Sequence, residues 1–312
     1  MRIVAFGAGG VGGYFGGRLA LSGEDVTFVA RGAHRDAIRD KGLRIARPEG
    51  DLLIKPARVT DDVATLDPPD YLLFAVKLYD TETVAETCRP LVGPNTTVVS
   101  LQNGVEAVDI LNGVFGRDRV LAGMVGVATY ISEPGVVTQT GAFHFMAIGE
   151  QDGTRSDRAV ALEQACKKAG LNIKLSDDIE VDIWLKFIFL SALSSMTALT
   201  RLPNGPLRTT PETRDMFRAC MEEAAAVGRA RGVNLPDDVV EDRMKLWDGM
   251  PAEMVASMAH DLENGKRIEM ARLGGAVVRL GYEMGIPTPT QSFLCAALTP
   301  YLDGPPKQVS DR

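Results

Sequence analysis

The opening stretch RIVAFGAGGVGGYFGG places Gly7, Gly9 and Gly12 in a G-x-G-x-x-G spacing, directly after an apolar β-branched run and at the start of a helical pattern. Each glycine meets a different need: Gly7 a tight turn, Gly9 close approach of a pyrophosphate to the backbone, Gly12 close helix-to-strand packing. A helix opening at Gly10 and Val11 offers free N–H groups and a positive dipole end to phosphate oxygens. The chemistry this fits is dinucleotide binding. In the next strand, FVARGAHR ends on Arg31 rather than on the acid that bonds a ribose 2′-OH. A guanidinium there suits a 2′-phosphate, which favours NADP(H). His34 and Arg35 are weaker candidates for the same job.

Three further positions have the residue type for a site. Lys77 ends the run FAVK, and Asn103 follows VVSLQ and precedes Gly104. Ligands of open α/β sheets bind outside the carboxyl ends of the strands, where both would lie. On spacing alone, Lys77 is equally a solvated helix start and Asn103-Gly104 equally a plain turn. Lys186, in WLKFIFLSALSS, is the only charge between Asp182 and Arg201. An ammonium taken from water is costly unless something compensates for it. A lysine whose stem lies along an apolar face, with its tip in water, gives the same pattern.

The elements that would position these residues fall into two halves. Up to about residue 175, apolar strands (2–6, 25–31, 71–76, 96–101, 120–130) alternate with helical stretches, the signature of a parallel sheet covered on both faces. Residues 42–59 read as a hairpin turning at Pro48-Glu49-Gly50, and 131–150 as two or three antiparallel strands around Glu133-Pro134-Gly135, together an antiparallel extension of the sheet. From Asp178 the pattern is helical throughout: 178–200, 212–232, 238–249, 252–265 and 268–285. The expected fold is an α/β Rossmann-like domain over 1–177, mainly parallel with an antiparallel extension, followed by an all-α domain over 178–312. The tail from Asp303 is expected to fray.

The 312 residues exceed most single cores. A net charge of -7 provides no basic footprint for nucleic acid or anionic membrane. The N-terminal apolar stretch is broken by glycines and has no A-x-A cleavage site, so it does not read as a signal peptide. The uncharged run Phe187–Thr200 falls short of the roughly 18 to 20 residues of a membrane span. Four scattered cysteines and three scattered histidines give neither a disulfide framework nor a metal site. A cytoplasmic protein acting on a small molecule is the expectation, with a homodimer through the helical half left open.

Taken in order, G-A-G-G-V-G-G, Arg31, V-K at 76–77, Q-N-G at 102–104, W-x-K at 184–186, P-N-G at 203–205, S-M-x-x-D at 257–261, G-K-R-x-E at 265–269 and G-I-P-T-P at 285–289 resemble the ketopantoate reductase (2-dehydropantoate 2-reductase) family over nearly the whole chain. The resemblance implies an NADPH-dependent reductase of a 2-oxo acid, in pantothenate and coenzyme A synthesis, with its active site in the cleft between the two domains. It makes Lys186 the catalytic lysine and Glu269 its acidic partner. Ser257 becomes a substrate ligand, Asn103 and Lys77 residues of the nicotinamide and substrate end, and Arg31 the 2′-phosphate ligand. An ammonium at Lys186 would stabilise charge growing on the carbonyl oxygen and deliver a proton. Desolvation lowers the pKa of such a lysine and Glu269 raises it; sequence does not decide between them.

The chain also departs from the family's pattern. The positions four and eight after the lysine, typically asparagines in ketopantoate-reducing members, are Leu190 and Ser194. Ser194 keeps a hydrogen-bonding group for a substrate and Leu190 does not. Ile268 stands where a threonine is usual, and Ala271 where an acid is. These changes leave room for a different 2-oxo acid, or for an NADP(H)-binding sensor without catalysis, although a sensor needs neither Lys186 nor Glu269.

Overall fold

The computed structural model describes residues 1–306. The end of the expected frayed tail, 307–312, lies outside them. The chain divides into two compact units, one of Met1–Asn103 with Ala107–Asp182, the other of Gly104–Glu106 with the chain from Ile183 onward.

The first unit holds ten strands: β1 (Arg2–Phe6), β2 (Asp25–Val29), β3 (Leu43–Ala46), β4 (Leu52–Ile54), β5 (Arg58–Thr60), β6 (Tyr71–Phe74), β7 (Thr97–Ser100), β8 (Val120–Glu133), β9 (Val136–Gly149) and β10 (Ile173–Leu175). Its helices are α1 (Gly10–Leu21), α2 (Gly32–Lys41), α3 (Thr81–Cys88), α4 (Ala107–Phe115) and α5 (Asp157–Lys168). The strand order is β4-β3-β9-β8-β7-β6-β1-β2-β5, with β10 on β9. From β8 across to β5 every pairing is parallel. Every residue of β6 and β7 is buried, as expected of strands covered on both faces. The chain leaves β1 through α1 toward β2 and later returns to β6 on the other side. The order thus reverses at β1, the kind of switch point where such sheets bind ligands.

The antiparallel extension is real and differs in detail from the expectation. The hairpin is β3–β4, with Leu43 opposite Ile54, whereas Arg58–Thr60 crosses to the far edge and pairs with β2. Residues 120–149 form one long two-stranded ribbon, β8–β9, whose register shifts twice. α1 packs on this sheet through glycine. A Cβ at Gly13 would stand 2.8 Å from Val137 Cγ2, one at Gly16 3.0 Å from Ala5 Cβ, and one at Gly17 2.7 Å from Ile45 Cδ1.

The second unit is helical: α6 (Ile179–Thr200, whose first turn belongs to the first unit), α7 (Asn204–Thr209), α8 (Pro211–Ala230), α9 (Val239–Asp248), α10 (Ser257–Glu263), α11 (Gly274–Met284) and α12 (Pro289–Leu298). α8 starts with proline in its first turn, and buries Phe217, Cys220, Met221, Ala224, Ala225 and Gly228 at helical spacing. Among the described residues α6 alone is long and apolar enough to cross a membrane, but 67% of its most apolar stretch is buried inside the protein, as in a core helix. The hydroxyls of Ser191, Ser195, Thr197 and Thr200 bond carbonyls of the helix itself, with Ser195 Oγ donating to Ser191 O at 2.7 Å and Thr197 Oγ1 to Leu193 O at 2.7 Å. Phe217 stacks on Trp247 with ring centroids 3.8 Å apart, a pair worth about 0.5–1.5 kcal/mol beyond its buried area.

The pattern over 268–285 is not one helix. A 3-10 turn, Met270–Arg272, is followed by a break at Leu273 (φ -103°, ψ -96°) before α11 begins. A Cβ on Gly274 would lie 2.5 Å from Met270 Cε and 3.1 Å from Ser195 Oγ, so the break folds the turn close onto α6.

Candidate active site

In the first unit the candidates lie along one edge of the parallel sheet. Gly7 follows β1 with φ +89°, and its N–H donates to Val29 O at 3.2 Å. A Cβ there would meet Ala75 O at 2.9 Å, and one on Gly12 would collide with the carbonyl oxygen of Gly7 itself. A Cβ on Gly10 would fall 2.5 Å from Thr129 O. Gly9, by contrast, caps α1 and has nothing within 4 Å of where a Cβ would be. No side chain caps α1, and Val11 turns its side chain onto the apolar core. Three glycines make the turn possible while the fourth leaves space in front of unclaimed helical N–H groups, which fits a dinucleotide's pyrophosphate.

Arg31 caps α2 at the end of β2 and is exposed. Among the described residues its guanidinium has no hydrogen bond or ion pair. Arg35 is committed elsewhere: it bonds Asp36 at 2.7 Å through Nη2 and also pairs with Asp61. His34 points back into the protein, with Nε2 2.8 Å from Ala8 O and Nδ1 3.0 Å from Gly135 N. Of the three basic residues, Arg31 is the one with a side chain available to a 2′-phosphate.

Lys77 and Asn103 follow the neighbouring strands β6 and β7, with Phe74 level with Ser100. Both are half-buried. Gln102 fixes the spacing of their loops: its Nε2 donates to Val76 O at 3.0 Å and to Thr81 Oγ1 at 2.8 Å. Nothing in the sequence around Gln102 distinguishes it from any polar residue at a strand end.

In the second unit α6 carries Lys186. Glu269 caps the 3-10 turn, 6% exposed, and its carbonyl accepts from Arg272 N at 2.9 Å and Leu273 N at 3.0 Å. Ser195 Oγ contacts Met270 Sδ at 3.6 Å, so the turn carrying Glu269 is seated directly on α6. Lys186 and Glu269 interact electrostatically. Burial pushes the Lys186 ammonium down to about 8, and the Glu269 carboxylate opposes that shift. Part of the lysine's surface remains accessible, yet protein surrounds the charged end closely enough for desolvation to dominate.

Ser257 is exposed at the first residue of α10. The segment leading to it is tied down: Ala256 N donates to Thr197 Oγ1 at 3.4 Å, Asn204 N to Met254 O at 3.0 Å and Gly205 N to Ala252 O at 2.7 Å. Asn204 in turn accepts a bond from Trp247 Nε1 at 3.0 Å. P-N-G thus acts as a scaffold for the Ser257 segment. Ser194 is buried in α6, and Leu190, one turn after Lys186, is half-buried. Glu106 accepts from Arg279 Nε at 3.2 Å and Arg272 Nη1 at 3.5 Å, which attaches the segment after Asn103 to the helical unit.

The chain matches two family models, ketopantoate reductase PanE/ApbA over residues 3–153 and its C-terminal counterpart over 178–301. It is 34% identical to a 2-dehydropantoate 2-reductase of Mesorhizobium japonicum, covering 93% of this chain and 94% of that one. A 2-dehydropantoate 2-reductase of Archaeoglobus fulgidus is 33% identical over 91% of this chain and 92% of its own. The crystal structure of a PanE/ApbA family ketopantoate reductase from Ralstonia eutropha superposes with a TM-score of 0.88 at 34% identity, covering 96% and 97% of the two chains. With both parts of its length matched in order, and the glycine turn, lysine and glutamate seated on the elements described, the chain belongs to the ketopantoate reductase family.

Proposed function

We propose that this oxidoreductase uses NADPH to reduce a 2-oxo acid to the 2-hydroxy acid, in the cytoplasm, with 2-dehydropantoate to pantoate, a step of pantothenate and coenzyme A synthesis, as the first reaction to test. The observation that carries the proposal is a lysine desolvated to a pKa of about 8 beside a buried glutamate. The nicotinamide, when bound, supplies the hydride. The turn from Gly7 to Gly12 receives the pyrophosphate and Arg31 the 2′-phosphate, with Lys77 and Asn103 at the nicotinamide and substrate end. Ser257 and Ser194 hold substrate oxygens. As charge grows on the carbonyl oxygen, the Lys186 ammonium stabilises it and donates a proton from Nζ to complete the hydroxyl. The lysine is left neutral and regains its proton from water. Glu269 keeps the ammonium charged and oriented without donating.

Oxidation of NADPH at pH 7 with a panel of 2-oxo acids tests the reading. Turnover is expected, and tight NADPH binding without turnover of any acid would favour a sensor. Lys186→Ala should lower kcat by about 10²–10⁴ while NADPH affinity stays within a few-fold. Arg31→Ala should weaken NADPH about 10- to 100-fold and leave NADH nearly unchanged. Leu190 supports a second reading, in which the preferred acid lacks the hydroxyl of ketopantoate; kcat/KM across the panel separates the two.

A further inference from the structure

His34 makes two hydrogen bonds that together decide its chemical form. A carbonyl oxygen only accepts, so Nε2, 2.8 Å from Ala8 O, carries the hydrogen; a backbone N–H only donates, so Nδ1, 3.0 Å from Gly135 N, presents its lone pair. The ring is held as one neutral tautomer, and burial lowers its pKa in the same sense. It joins three segments far apart in sequence. Ala8 lies between Gly7 and Gly9 in the phosphate-binding turn. His34 itself is in the first turn of α2, three residues after Arg31. Gly135 lies in the β8–β9 turn at φ +83°, where a Cβ would be 3.0 Å from Ala37 Cβ on α2, and its carbonyl accepts from Arg44 N at 2.9 Å.

One dinucleotide must place its pyrophosphate at the glycine turn and its 2′-phosphate at Arg31, so the spacing between those two segments has to be held fixed. The turn is anchored to β2 by Gly7 N and Ala8 N, both donating to Val29 O at 3.2 and 3.0 Å. The start of α2 has no side-chain cap, and Arg35 is turned away to Asp36 and Asp61. His34 supplies the direct side-chain link between α2 and the turn. We propose that His34 is a positioning residue for NADP(H), a neutral latch that sets Arg31 in register with the phosphate-binding turn and so supports selection for the 2′-phosphate. This rests on the nicotinamide reading above.

The test titrates NADP+ and NAD+ into wild type, His34→Ala and His34→Gln, with thermal melts as a folding control. Glutamine carries a donor and an acceptor at nearly the separation of the two ring nitrogens. His34→Ala should weaken NADP+ about tenfold, the loss of roughly one buried hydrogen bond, and weaken NAD+ distinctly less. Its kcat at saturating NADPH should stay within about twofold, and Gln should recover most of the NADP+ affinity. Unchanged NADP+ affinity in His34→Ala would overturn the latch. So would equal loss for both dinucleotides with Gln no better than Ala, the signature of general loosening. Wild-type protein that binds NADP+ but reduces no 2-oxo acid would remove the reductase reading and leave the latch standing.

Discussion

At Lys186 two opposing effects meet, and their balance sets a measurable pH dependence. Its pKa of about 8 means the ammonium predominates at pH 7. With Lys186 as the proposed proton donor, reduction needs the protonated form, so kcat for reduction should be level below pH 7 and fall as pH rises through about 8; oxidation of the hydroxy acid, which would need the neutral amine, should rise over the same range. Glu269 raises this pKa, so Glu269→Gln should move both limbs to lower pH. A pH–rate profile with no limb near 8, or one unmoved in the variant, would remove these roles. Leu190 belongs to the same scale. Leu190→Asn should raise kcat/KM for ketopantoate relative to simpler 2-oxo acids if that position faces the substrate.

Among the elements, α1 and the Ser257 segment show how position is bought with packing. A methyl on Gly12 would strike a backbone carbonyl that cannot move without moving the turn, whereas one on Gly17 would meet the far end of the Ile45 side chain. Gly12→Ala should therefore cost the larger share of the roughly 1–3 kcal/mol of an overpacked site, and weaken NADP+ as well; urea unfolding and a binding titration of both variants check this. Asn204→Ala strands the buried Trp247 N–H, at about 1–3 kcal/mol. It should also raise KM for the oxo acid more than it alters NADPH affinity, because the segment leading to Ser257 is attached there.

For the whole molecule, the proposed function divides the tasks between two compact units, nucleotide recognition in the sheet and proton donation in the helices. NADP+ at a hundred times its Kd should stabilise the protein by about 2.7 kcal/mol, and the same concentration of NAD+ by much less; differential scanning calorimetry reads both. Much of this organisation was legible from local pattern. The glycine turn, the alternation of strands and helices, and Lys186 in its apolar helix each declare themselves within about twenty residues. Other features depend on contacts distant in sequence. The break at Leu273, which turns Glu269 from a helix residue into the cap of a short turn, follows from Gly274 closing on Met270 and Ser195. Arg58–Thr60 reads as a continuation of a hairpin until β2 captures it at the opposite edge. The orientation of His34 needed Gly135, a hundred residues further on.

The glycine face of α1 also has a consequence for biosynthesis. Gly12, Gly13, Gly16 and Gly17 make α1 a poor helix by itself, so it depends on the surfaces it lies against. Those surfaces include Ile45 on β3 and Val137 on β9, and β1 takes β6 as a neighbour. The packing of α1 is therefore completed only after β9 has been made, on the order of ten seconds after α1 itself. A nascent chain arrested before Val136 should fail to retain NADP+ on an affinity resin, and one extended past α5 should be held.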